Sequence, residues 1–238
     1  RLLECHDQYG LVRRQEGKPS ITVELHWTTD CVPWAACFDT PSVWTRAERI
    51  CIDGQTVLSL SAQDLLIYLC EHGTKHLWGS LKWLCDIAQL LRAEPDLDWA
   101  WIVETAQATG RLRMLSSGLL LAHTLFDANL PQVVWQQIDT DPQVQVLEKQ
   151  IRSRIFQEDQ TPAGFLKEIR FYWQIRERFR DRIAYSFSVL KFCFRPNLHD
   201  WLWFPLPAPL SFFYNLTRPV RLLRQAGTGC WMRLTQNP

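Results

Sequence analysis

At Ser61 the hydrophobic pattern of this chain changes period, and that change limits what the chain can fold into. Before it, apolar residues alternate with polar ones. "ITVELHW" (21–27) places Ile21, Val23, Leu25 and Trp27 on one face and Thr22, Glu24 and His26 on the other, the pattern of a half-buried strand. "YGLVRRQ" (9–15) precedes it across the turn-rich "EGKPS", which predicts a hairpin. After a loop with Pro33 and Pro41, "RICIDGQTVLSL" (49–60) holds two alternating runs about Asp53-Gly54, a dipeptide suited to a type I′ turn.

After Ser61 the spacing is helical. Ser61 and Asp64 resemble a capping box. Leu66, Leu69, Cys70, Gly73 and Leu77 follow at helix spacing, and Leu77, Leu81, Leu84, Ala88 and Leu91 extend a core-facing stripe to Pro95. Asp98 can cap a helix over 99–109 that stops at Gly110, an apolar helix covers 111–127, and Asp141-Pro142 begins another with Val144, Leu147, Ile151 and Ile155 inward. A long helix rich in aromatics and arginine is predicted over 163–190. The tail from Pro196, punctuated by Pro205, Pro207, Pro209 and Pro219, is expected to wrap over the surface.

The expected class is α+β: a small mixed β-sheet remnant (1–60), a predominantly helical domain (61–195) and a Pro/aromatic-rich tail (196–238). That order suggests a chain cut inside an α+β domain. The first residue, Arg1, is not methionine, so the start is read as lost and a missing leader carries no information on location.

Composition excludes wholesale disorder, with 47% hydrophobic and 21% charged residues. Twelve tryptophans point to thick aromatic packing, a membrane-facing surface, or both. No apolar run is long enough to span a bilayer as a helix. Eight cysteines contain no C-x-x-C pair, which argues for a reducing, cytoplasmic compartment and against a zinc ribbon. Charge is uneven: residues 1–150 hold 12 Lys+Arg against 19 Asp+Glu, and residues 151–238 hold 14 against 6. The basic half suits an anionic membrane surface or RNA, so a peripheral membrane location is also open.

Glu24 and His26 read two ways, as a solvent-facing strand surface or as part of a metal site whose other members lie elsewhere. "CEHGTKHLWGSLKWLCD" has the same ambiguity. If the helix is continuous there, His72, Lys75, His76, Gly79, Lys82, Trp83 and Asp86 form one stripe opposite the leucine face. The stripe is either a solvated surface with Lys–Asp i,i+4 pairing or a cationic wall for phosphates. His72 and His76 have metal-ligand spacing, but Gly73 stands where a zinc hydrolase needs glutamate. "AGTGC" (226–230) lacks the lysine of a phosphate loop.

Three stretches together carry a resemblance: "ITVELHW", "VWTRAERICIDGQTVLSLSAQDLLIYLCEHGTKHLWGSLKWLCDIAQLL" and "RPNLHDWLWFPLPAPLSFFYNLTRPVRLL". In this order they resemble the bacterial uncharacterised nucleotidyltransferase family, of polymerase-beta type. The resemblance implies a sheet bearing the active site and a helical domain behind it. It also implies a Gly-Ser phosphate turn, an Asp-x-Asp pair on one strand and a third carboxylate on a neighbouring strand. Glu24 matches the third carboxylate, and the first two motifs have no match ahead of it.

The resemblance therefore implies a Mg2+-dependent transfer of a nucleoside monophosphate from a nucleoside triphosphate to an unknown acceptor. Glu24 would be the catalytic and metal-binding carboxylate, with His26, Lys75, His76, Lys82 and Asp86 near the nucleotide. A chain with one of three carboxylates is expected to be inactive by itself. The alternatives are a non-catalytic binding or scaffolding module, or a peripheral membrane-associated accessory protein.

Overall fold

The computed structural model describes residues 8–14, 20–26, 41–156, 164–194, 207, 210 and 213–226. Strand β1 (Gln8–Arg13) pairs antiparallel with β2 (Ile21–His26), and β3 (Glu48–Ile52) with β4 (Gln55–Ser59). Asp53 and Gly54 join the second pair at φ 49° and 74°, the two positive values a type I′ turn requires. The fold is α+β with helix dominant, and its described strands form two separate antiparallel pairs.

A short helix, α1 (Pro41–Thr45), precedes β3. Helix α2 (Ala62–Lys75) starts as its sequence directs, since Ser61 Oγ accepts from the Asp64 amide at 3.3 Å and donates to Asp64 Oδ2 at 2.7 Å. Asp64 is fully buried, and Arg46 closes a two-pronged pair on it at 2.7 and 2.8 Å while lying over the Trp101 ring. That pair fastens the segment leading into β3 to the start of the helical bundle.

Helix α3 spans Leu81–Ala93 and α4 spans Trp99–Thr109. Asp98 caps α4 through the Trp101 amide, and Gly110 ends it at φ 74°. Helix α5 (Leu112–Phe126) is the hub, buried at every position from Arg113 to Leu119. Gly118 keeps one stretch of it slim enough for the Cys70 and Trp78 side chains to approach. Helices α2, α3, α4, α6 (Gln132–Thr140) and α7 (Pro142–Ile155) pack around it. Asp141 caps α7 through the Gln143 amide, with Pro142 in the first turn. Val144, Leu147 and Ile151 face the core as their spacing predicts, with Ile155 half-buried.

Two sequence expectations are corrected here. The helix expected over 163–190 is two, α8 (Phe165–Gln174) and α9 (Phe179–Phe194). The carbonyls at the break are taken by side chains instead of helix amides. Arg113 Nη1 donates to Gln174 O at 2.6 Å and Arg176 O at 3.0 Å, and Arg182 Nε also donates to Arg176 O. Ile175 is fully buried at this turn. The second correction is that the tail is helical over α10 (Tyr214–Ala226), with Pro219 inside. Buried Tyr214, Arg218 and Leu222 and the packing of α10 on α9 outweigh the amide that Pro219 lacks. Most of the remaining tail, including Trp201 and Trp203, lies outside the described residues.

The arginine-rich run 170–182 is more internal than its composition suggests. Arg176 is buried, donates to Tyr172 O and stacks on Tyr185. Arg178 donates to Gln107 O, and Arg182 covers Trp173. Arg180 remains outside, its side chain 75% exposed. Among the described residues Cys51, Cys70, Cys85 and Cys193 are free thiols.

Candidate functional site

The helix carrying the histidine stripe is not continuous. Helix α2 ends in a Schellman motif, in which Leu77 N donates to Thr74 O at 2.9 Å and Trp78 N to Gly73 O at 2.8 Å. Leu77 and Trp78 stand at φ 54° and 55°, a region disfavoured for side chains larger than glycine. The Trp78 indole, fully buried, holds them there: it fills a slot made by Gly73 and Gly118, where a Cβ would fall 2.3 and 3.0 Å from the ring. Ser80 then caps α3.

The resulting corner gathers rings from both helices and a lysine from α3. Tyr68, His72 and His76 follow one another along α2 at i,i+4 spacing, with ring centroids 5.6 and 4.6 Å apart. Trp83, in the first turn of α3, stacks on His76 at 5.1 Å with 24° between planes and meets His72 edge-on at 5.8 Å. Lys82 Nζ lies 5.8 Å from the Trp83 centroid. His76 and Lys82 are exposed, while Lys75 and His72 are half-buried. The Tyr172 hydroxyl donates to Lys75 O at 2.5 Å, and burial pushes this phenol above its usual range, so it remains a donor. That bond ties the corner to α8.

Of the residues singled out in the sequence, His76 and Lys82 therefore meet in one cluster, with Lys75 at its edge. Asp86 is exposed one turn beyond Lys82, and no Lys82–Asp86 ion pair forms. Tyr68 and Tyr172 were not anticipated; the i,i+4 series 68–72–76 was the available signal for the first. Glu24 stands on a separate element. It is exposed, and it faces Gly10 across the β1–β2 pair. His26 ends β2, and its side chain lies outside the described residues.

Among the described residues, no group of three or more His, Cys, Asp or Glu side chains converges as a metal site. Two Asp-x-Asp spacings occur, Asp96-Leu97-Asp98 and Asp139-Thr140-Asp141, but Asp98 and Asp141 are helix caps, the latter also held by Arg113 Nε at 2.6 Å.

The model of a family described as uncharacterised nucleotidyltransferases matches residues 3–127, just over half of the 238-residue chain. The chain belongs to that family. No curated protein and no solved structure matches it. The span shared with the uncharacterised nucleotidyltransferases takes in both hairpins, the α2–α3 corner and the whole of α5. Helices α6 to α10 lie beyond it.

Proposed function

We propose that the α2–α3 corner is the nucleotide-contacting element of a nucleotidyltransferase, and that Glu24 is one of its catalytic carboxylates. The reaction would move a nucleoside monophosphate from a nucleoside triphosphate to an acceptor, releasing pyrophosphate. One observation carries the assignment to the corner: exposed His76 stacks on Trp83 with Lys82 beside the same ring. An aromatic platform flanked by a lysine suits a nucleobase or its phosphates, and base–aromatic stacking contributes about 1–3 kcal/mol per base. A purely solvated face would leave these rings apart, and an i,i+4 ion pair with Asp86 would occupy Lys82.

Magnesium dependence rests on the resemblance alone. A divalent ion needs oxygen ligands beyond Glu24, because one carboxylate can neither fix nor neutralise two metal ions. Binding is therefore the first readout. ATP, GTP, CTP and UTP are titrated into the chain, with and without MgCl2, by calorimetry. We expect at least one to bind, and His76→Ala and Trp83→Leu each to weaken it about tenfold or more, the exposed His76→Ala with the thermal midpoint little changed. If no nucleotide binds, or both variants bind like the parent, the corner loses its role. Where turnover can be followed, Glu24→Gln should lower it on the order of a hundredfold.

A further inference from the structure

Helix α9 has two apolar faces, and among the described residues only one of them has a partner. Tyr185, buried, and half-buried Phe192 and Val189 face the bundle and α10. Phe179, Ile183, Phe187, Leu190 and Phe194 are instead 40% to 72% exposed. At 3.6 residues per turn these five fall within an arc of about 80° and run along about 22 Å of the helix. Scattered surface apolar residues are ordinary; a continuous stripe with three phenylalanines is not.

Charge says what covers it. Arg180, whose Nε lies 3.4 Å from Asp181 Oδ1, and Lys191 lie on one flank of the stripe, and both are exposed. A second copy packing antiparallel on the stripe would set Arg180 against Lys191 of the other molecule, a like-charge contact. RNA would call on the rest of the arginine run, yet of it Arg170 alone is exposed, while Arg176, Arg178 and Arg182 are engaged by backbone carbonyls and ring faces. An anionic bilayer interface takes both features at once, with apolar side chains in the acyl boundary and cations at the headgroups. No described helix is long and apolar enough to cross a membrane, so the contact would lie in the plane of the surface.

We propose that the exposed face of α9 is a docking surface for anionic lipid, seating the protein peripherally on a membrane. The full chain is sedimented with vesicles of phosphatidylcholine containing about one third phosphatidylglycerol, and with phosphatidylcholine alone. The expected result is a clear preference for the anionic vesicles that weakens with salt. Phe179→Ser with Phe187→Ser should lower partitioning about tenfold or more, and Arg180→Gln with Lys191→Gln should erase the preference for anionic lipid. All four side chains are exposed, so both double variants should unfold at the parent's temperature. The proposal is overturned if the parent ignores anionic vesicles, or if either double variant binds them as the parent does. It is also overturned if light scattering shows a dimer that the phenylalanine variant dissolves, or if the parent binds single-stranded RNA but not vesicles.

Discussion

The Trp78 indole lies against the backbone of Gly73, so close that a Cβ built on Gly73 would fall 2.3 Å from the ring. Two residues five apart in one chain thus close the end of α2 over themselves. The contact calls for a glycine in the last turn of α2 and holds Leu77 and Trp78 at positive φ. Gly73→Ala should destabilise the protein by about 2 kcal/mol or more through overpacking, although alanine is the better helix former by about 1 kcal/mol. Urea unfolding measures it; a neutral or stabilised variant would show that the indole can move aside.

Lys82 is the exposed cation beside Trp83. If it meets phosphate, Lys82→Gln should weaken triphosphate binding and flatten its dependence on salt, while a nucleoside without phosphates binds the variant and parent alike. Equal loss for nucleoside and triphosphate would place Lys82 at the base or in the fold instead.

Arg111 and Glu71 form a buried pair between the start of α5 and α2, at 2.9 and 3.3 Å. Side-chain exposures of 4% and 11% mean that removing one partner strands the other charge away from water. Glu71→Gln should cost on the order of 3 kcal/mol. Chemical denaturation checks it, and a loss below about 0.5 kcal/mol, typical of surface changes, would show that water reaches the pair.

Arg176 and Arg180 should separate cleanly despite lying in one run. Arg176→Gln removes a buried guanidinium from the Tyr172 carbonyl and the Tyr185 face, at a cost of about 2 kcal/mol or more. Arg180→Gln should change stability by less than about 0.5 kcal/mol. Melting curves of the two single variants decide it.

Glu168 supplies a pH test. Burial, opposed by Arg154, raises its pKa above 4.5. A carboxyl raised in the folded state contributes stability that is present below about pH 4.5 and is lost as pH rises through the folded value. Glu168→Gln should therefore gain on the parent at pH 7 relative to pH 4. Unfolding free energies at the two pH values give the comparison, and an equal difference at both would show that the carboxyl is not desolvated.

What the sequence revealed of the fold was what neighbouring residues decide. The Asp53-Gly54 turn, the Ser61, Asp98 and Asp141 caps and the Gly110 stop are local chemistry, and each stands where its motif placed it. The breaks after α2 and α8 were hidden because distant packing makes them. Leu77 and Trp78 carry no turn signal, and their conformation follows from a slot that Gly118 helps to form. The α8–α9 break follows from the reach of Arg113. For the site, the stripe named His76, Lys82 and Trp83, but the stack of His76 on Trp83 was hidden because it depends on the turn between the two helices.

The Glu177 carboxylate, in the α8–α9 link, accepts from the Leu112 amide at 3.0 Å and the Arg113 amide at 3.3 Å. Helix α5 has no cap from its own preceding residue, so its first turn is satisfied from 65 residues downstream. A polypeptide excised at Asp127 would retain the whole span by which kinship is detected. It would also open the hub helix at its amino end and leave the Arg113 guanidinium without the carbonyls of Gln174 and Arg176.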